Sequence, residues 1–261
     1  MAITAIPVGF FSGLFGIGGG IIMVPFLFHI FGSLELDQQY IMHLAVGTSF
    51  AIIMPTAAVS VFTHHKYKAV DFSIVKSYGI FCIFGVISGT IFAASINAKA
   101  LILFFSIVTL LLGIYLLLLK EKEKNITLRI KLYLKIILGF IAGFISGPMG
   151  IGGAVMNVPI LKFFGYSINR AIGSSAAIGL GIAIFGALGF LITGSYLKTN
   201  IPLSIGFLNI PAFLIFIPIT TFMARIGART VHTLDKNKIS KYFGYFLLIV
   251  SIKFLYEYSK F

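Results

Sequence analysis

The sequence predicts an all-α polytopic membrane protein made of two repeats of about four hydrophobic segments each, inverted relative to one another, each starting with a glycine-broken helix hairpin. Three observations lead there. Only 10% of the 261 residues are charged and 59% are apolar, whereas a soluble domain carries about 25% charged residues. Apolar runs near the roughly 20 residues needed to cross about 30 Å of hydrocarbon recur from end to end. The two halves of the chain also repeat one another.

Eight hydrophobic segments are read, at about 3–31, 40–63, 72–95, 99–119, 132–165, 169–193, 202–224 and 239–256. The polar joint KEKEKNITLRIK divides them four and four. Membrane repeat 1 therefore spans 1–119, a polar cytoplasmic linker 120–131, and membrane repeat 2 132–261. The N-terminal MAITAIPVGFF lacks a basic start and a small-residue cleavage site, so the first segment is expected to stay in the mature chain.

The duplication rests on three matches in the same order. GFFSGLFGIGGGIIMVPFL (Gly9 to Leu27) corresponds to GFISGPMGIGGAVMNVPIL (Gly143 to Leu161). AVGTS at 45–49 corresponds to AIGSS at 171–175, and Gly89–Phe105 parallels Gly227–Phe243.

The first segment of each repeat is a poor continuous helix, because Gly costs about 1 kcal/mol and Pro about 3 inside one. Either it crosses once with a break, or it is a hairpin of two short helices meeting at the glycines and returning to the same side. Irregular backbone at membrane depth is tolerated where protein or a watery cavity covers it. Charge counting separates the two. With eight crossings, Lys and Arg divide 12 against 8 between the faces. With hairpins, the stretches 64–76, 120–135, 162–170 and 225–241 share a face holding 16 of them, against 4 opposite. The hairpin arrangement obeys the positive-inside rule far better. Each repeat then crosses an odd number of times, so the second lies upside down, as in secondary transporters that bind substrate near the midplane between the repeats.

The glycine runs Gly16–Gly20 and Gly150–Ala154 each lead into an apolar helix with Pro five residues on, at Pro25 and Pro159. A glycine turn before a helix exposes backbone N–H groups at the positive end of the dipole, a place for an anion. Close helix packing is the other use of such glycines. The candidate substrate-binding residues are Gly18, Gly19, Gly20, Gly152, Gly153 and Ala154. To these are added the hydroxyls of Thr48, Ser49, Ser174 and Ser175 and the amide of Asn157, which stands where the first copy has an apolar residue. The hydroxyls could equally bond their own helix, and Asn157 could serve helix packing.

Arg170 and His43 precede the AIGSS and AVGTS motifs, where Arg170 is expected to snorkel to the interface. His64 and His65 are expected in a loop, without metal-ligand spacing, so no metal or other cofactor is expected. The acids Glu35, Asp37, Asp71, Glu121, Glu123, Asp235 and Glu257 all fall in loops or near segment ends. Cation sites and proton relays in membranes need a buried carboxylate, so both are disfavoured. The net charge of +13 is scattered between apolar runs and forms no basic stripe with interleaved aromatics, so no nucleic acid is expected. Cys82 lies in an apolar run, where it acts as a small buried hydrophobe. In the absence of Trp, Tyr67, Tyr196 and Tyr242 are expected to anchor the interfaces.

Through FSGLFGIGGGIIMVPFL, HLAVGTSF, HHKYKAVDF, GFISGPMGIGGAVMNVPIL, NRAIGSSAAIG and GARTVHTLDKNKISKYFGYFLL, the chain resembles the sulfite exporter family of the TauE/SafE type, bacterial permeases for sulfur-containing and other small organic anions. The resemblance implies a multi-pass protein of the bacterial cytoplasmic membrane that moves sulfite, thiosulfate, sulfonates or similar anions, often outward. Ala154 and Pro148 depart from the first copy and alter how the second helix start presents its N–H groups. The alternative is a non-transporting scaffold subunit or a membrane enzyme. An enzyme would need convergent nucleophiles, acids or metal ligands, and the segment interiors supply hydroxyls and glycine. The expected partners are a small anionic substrate and the lipid bilayer.

Overall fold

The structure, a computed structural model, describes residues 2–15, 19–118, 130–199, 201–230 and 236–260. In chain order these form α1 (Ala2–Phe15), α2 (Gly20–Ser33), α3 (Ile41–Lys66), α4 (Phe72–Ser95), α5 (Ala98–Leu118), α6 (Leu132–Met149), α7 (Ala154–Phe163), α8 (Ile168–Tyr196), β1 (Ser204–Ile205), β2 (Leu208–Asn209), α9 (Ile210–Thr230) and α10 (Lys236–Lys260). The expected all-α polytopic architecture is borne out. Among the described residues six helices, α3, α4, α5, α6, α8 and α9, are long and apolar enough to cross a membrane, and α1, α2 and α7 are shorter apolar helices. With Lys241, Lys253 and Glu257 in its apolar part, α10 is the most polar of the long helices.

Two local readings need correction, and a third lies largely outside the described residues. The segment expected at 202–224 begins with a two-stranded hairpin and becomes helical only at Ile210. Leu203 and Gly206 have φ of 54° and 57°, which a helix cannot accommodate. His64 and His65, expected in a loop, occupy the last turn of α3. Most of the expected linker, 120–129, lies outside the described residues, and α6 begins directly after Lys131.

Packing runs between the two halves of the chain. The most extensive helix pairs are α4 with α6, α1 with α9, α5 with α10 and α3 with α8. In a bilayer helices associate through close van der Waals fit, so small residues mark the contacts. A Cβ on Gly9 would lie 2.6 Å from the Thr220 backbone, and one on Gly13 would overlap the Ala224 carbonyl. At the matching places of the second glycine motif, Gly143 meets the Cys82 carbonyl and Gly147 meets Gly89. Gly89 in turn meets the Phe144 carbonyl, and Gly227 the Phe10 carbonyl.

The order of these contacts gives each pair a direction. Along α1 and α9 it runs Gly9 with Thr220, then Gly13 with Ala224, so the two helices are parallel. Along α6 and α4 it runs Gly143 with Cys82, then Gly147 with Gly89, again parallel. Gly79 with Ile178, Gly181 with Ile83 and Gly189 with Thr90 make α4 and α8 parallel. Thr48 with Asn209 and Thr56 with Thr220 do the same for α3 and α9. In contrast, α3 and α8 are antiparallel, with Phe50 on Gly186 and Phe190 on Gly47. So are α5 and α10, where Phe105 stacks on Phe254 and Leu117 on Gly244.

The centre holds α3, whose residues 41–53 are all buried, together with the facing part of α8. Outward faces carry Ile91, Leu111, Leu188 and Phe222, exposed as lipid-facing side chains would be. Tyr67, Tyr196 and Tyr242 are exposed, the first two at helix ends.

Candidate functional site

Both glycine runs break their helices. Gly19 (φ 75°) caps α2 and Gly153 (φ 71°) caps α7, while Gly150 (φ 63°) ends α6. All three are left-handed, a conformation that costs a side-chain-bearing residue about 1–2 kcal/mol. Gly16, Ile17 and the candidate Gly18 lie outside the described residues. Each cap carbonyl accepts the first helical bonds: Gly19 from Ile22 and Met23 (3.0 and 2.8 Å), Gly153 from Met156 and Asn157 (3.1 and 2.8 Å). The N–H groups ahead of these donors, on Gly20 and Ile21 and on Ala154 and Val155, have no partner within their helix. Glycine caps lack side chains that could cover them.

The two breaks meet. A Cβ on Gly20 would overlap the Gly150 carbonyl, and one on Gly150 would lie 2.9 Å from Val24 and 3.0 Å from Val46. Ser49 Oγ donates to the same carbonyl at 2.7 Å. On the other side, a Cβ on Gly179 would sit 2.5 Å from the Gly152 carbonyl. The start of α2 thus packs on the break between α6 and α7, which itself touches α3 on one side and α8 on the other.

The other candidates fall into two groups. Thr48 Oγ1 accepts from the Asn209 N–H and Ser174 Oγ from the Asp71 N–H, both at 2.9 Å. They tie α3 to the start of α9, and α8 to the start of α4. Asp71 also caps α4 by accepting from Ser73 N–H, and Asn209 accepts from Ala212 N–H. Ser175 and Asn157 are wholly buried, Asn157 beside the second break, and Ser175 Oγ and Asn157 Nδ2 have no hydrogen-bond partner among the described residues. A buried unpaired donor costs about 1–3 kcal/mol.

Two serines at this place were not singled out from the sequence. Ser12 and Ser146 precede Gly13 and Gly147 in the two motifs. Ser146 Oγ donates to the Ala142 carbonyl at 2.6 Å, and the buried Ser12 Oγ has no partner among the described residues. Their matched position in both copies was the available signal.

The titratable side chains the sequence drew attention to lie away from the breaks. Among the described residues no three His, Cys, Asp or Glu side chains come together. His43 Nε2 is 3.0 Å from the Ala93 and Ile96 carbonyls, and its ring stacks on Phe207. Arg170 is exposed at the start of α8. Between α7 and α8, Tyr166 donates to Asp71 Oδ2 at 3.3 Å; burial, reinforced by that carboxylate, pushes its phenol up to about 12.

The profile of the sulfite exporter TauE/SafE family matches residues 1–254. The chain belongs to this family. It is 30% identical over 244 residues to a probable membrane transporter protein of Haemophilus influenzae, covering 94% of this chain and 92% of that one. A probable membrane transporter protein of Methanocaldococcus jannaschii is 31% identical over 233 residues, 88% of this chain and 84% of the relative. No solved structure matches. As a TauE/SafE member, the chain is a multi-pass membrane transporter, and the meeting glycine breaks fall inside the matched region.

Proposed function

We propose that this transporter carries small anions, namely sulfite, thiosulfate, sulfonates or similar organic anions, outward across the bacterial cytoplasmic membrane. The site is formed by Gly18, Gly19 and Gly20 with Gly152, Gly153 and Ala154, and is lined by Thr48, Ser49, Ser174, Ser175 and Asn157. The observation that carries this reading is the packing of one glycine-capped helix start on the other glycine break, next to the unpartnered Asn157 Nδ2, with a second buried unpartnered hydroxyl on Ser175. Backbone N–H groups at two positive dipole ends, with hydroxyl and amide donors, suit an oxyanion. Thr48 and Ser174 each accept a backbone N–H, which leaves their own hydroxyl proton to donate. A cation would meet no buried carboxylate here.

Helix directions support inverted repeats. If α4 points one way, α6 and α8 follow it, α3 opposes α8, and α9 and α1 follow α3. With α5 reversing α4 through the short turn at Ile96 and Asn97, α10 opposes α5. Every helix so assigned in 1–119 is then opposite to its counterpart in 132–261, the repeats flanking a cytoplasmic linker at 120–131. Because α1 and α3 share a direction, α2 must return between them, which makes α1 and α2 a hairpin. The 16 cations of the 64–76, 120–135, 162–170 and 225–241 stretches then share the cytoplasmic face. An anion leaving a negative interior gains about 2.3 kcal/mol per charge per 100 mV, so export can run on the membrane potential alone.

Flux of labelled sulfite, thiosulfate and simple sulfonates from proteoliposomes tests the proposal, comparing wild type with Gly19→Val and Gly153→Val. Both variants are expected to lose flux. Wild-type flux in both, with the proteins folded, would remove the site assignment.

A further inference from the structure

The two breaks are alike in backbone and unlike in side chains. In the second half, Asn157 Oδ1 accepts a hydrogen bond from Tyr78 Oη at 2.8 Å and a weaker one from Cys82 Sγ at 3.8 Å. All three side chains are fully buried. The amide nitrogen faces the other way: a Cβ on Gly153 would lie 3.0 Å from Asn157 Nδ2 and 3.1 Å from Ser146 Oγ. By the repeat alignment, the first break has Met23 in place of Asn157, and the helix packed on it, α9 of the second half, has Phe216 in place of Tyr78 and Thr220 in place of Cys82. Thr220 has turned to its own helix, donating to the Phe216 carbonyl at 2.8 Å.

An amide can present either its oxygen or its nitrogen to a site, and an anion is repelled by the first and bound by the second. Two donors converging on Oδ1 settle which. We infer that Tyr78, assisted by Cys82, is a positioning residue: it holds the Asn157 amide with its N–H₂ directed at the second break, making that break the tighter, donor-only pole of the site. The bound group is an oxyanion, one oxygen of which takes an N–H of Asn157 while the backbone N–H groups at the start of α7 hold the same group. The first break, with Met23 at the matching place, lacks this amide and holds the anion more weakly. A two-pole site with unequal poles gives the transporter a preferred resting side for its substrate. The inference rests on the anion reading above and adds the residue that sets the sign of the site.

The test is initial flux against thiosulfate concentration in proteoliposomes, for wild type, Asn157→Met, Tyr78→Phe, the double variant and Asn157→Asp. Asn157→Met, which makes the second break resemble the first, is expected to raise KM about tenfold with the maximal rate held within about twofold. Tyr78→Phe is expected to raise KM several-fold by freeing the amide to turn, and the double variant to behave as Asn157→Met alone. Asn157→Asp keeps the Tyr78 bond but presents carboxylate oxygen. It is expected to carry little thiosulfate at pH 7.5 and to recover at pH 5.5 as the acid protonates, a range over which thiosulfate keeps its charge and wild type stays flat. An unchanged KM in Tyr78→Phe, additive effects in the double variant, or a loss of maximal rate and thermal stability together without a KM change would overturn the positioning role. A folded wild-type protein that moves no thiosulfate, sulfite or sulfonate would instead overturn the anion reading on which it rests.

Discussion

The hydroxyl of Ser49, in the first half of the chain, donates a 2.7 Å hydrogen bond to the carbonyl of Gly150, where the first helix of the second half ends. Gly20 packs on the same carbonyl. One carbonyl thus joins the central helix α3 and the start of α2 to the opposite break. The counterpart of Ser49 is Ser175, whose hydroxyl has no partner among the described residues.

These matched serines should therefore separate stability from transport. Ser49→Ala strands a buried carbonyl, a loss of about 1 kcal/mol for an interhelical hydrogen bond in a membrane, and is expected to lower Tm in detergent by about 2–4 °C. Ser175→Ala removes no bond and is expected to leave Tm unchanged while raising the KM for a transported anion. Equal Tm losses in both variants would mean that Ser175 is as structural as Ser49.

Glycines at the crossing points should tolerate substitution according to what a side chain would meet. Gly143 lies on the Cys82 carbonyl, with no flexible side chain to give way. Gly143→Ala is expected to destabilise by about 2–4 kcal/mol, in the range of severe overpacking. Gly32 has only Ile41 Cδ1 within reach, at 3.6 Å, and Gly32→Ala is expected to be neutral or slightly stabilising through helix propensity. Thermal unfolding of the two variants side by side checks this.

Much of this architecture was legible in the chain. Long apolar runs fixed α3, α4, α5 and α8 to within a few residues, because spanning helices leave little choice of length. The breaks were legible because Gly19 and Gly153 need positive φ that other residues resist. The hairpin before α9 was not: Ile201, Leu203, Ile205 and Phe207 read as the start of an apolar segment, and only Pro202, Gly206 and Pro211 hinted otherwise. Nor could spacing show that Thr48 and Ser174 reach across to the N–H groups of Asn209 and Asp71, since those contacts join residues 161 and 103 positions apart. Tyr78 was invisible as a partner of Asn157 for the same reason.

The contact between Tyr166 and Asp71 should depend on pH in one direction. The phenol is raised from its ordinary value near 10 to about 12 by burial and by the Asp71 carboxylate. A raised pKa means that the folded protein holds this proton more tightly than the unfolded chain, so the contribution is complete below pH 10 and is lost as pH rises through about 12. In Tyr166→Phe that part of the alkaline loss of Tm is expected to disappear. Thermal melts of both proteins from pH 8 to 12 measure it.

Sidedness follows from the helix directions and can be read from single cysteines, because the native Cys82 is buried. If α1–α2 and α6–α7 are hairpins, cysteines at Lys68 and Lys162 lie on one face and a cysteine at Lys198 on the other. A membrane-impermeant maleimide added to intact cells is expected to label Lys198→Cys, and to reach Lys68→Cys and Lys162→Cys only after permeabilisation. The three positions discriminate because single crossings would put Lys68 and Lys198 together while moving Lys162 across. Labelling of Lys68→Cys and Lys198→Cys from the same side would therefore return each glycine break to the middle of one crossing helix. The two helix starts would then no longer face the site from opposite sides of the membrane.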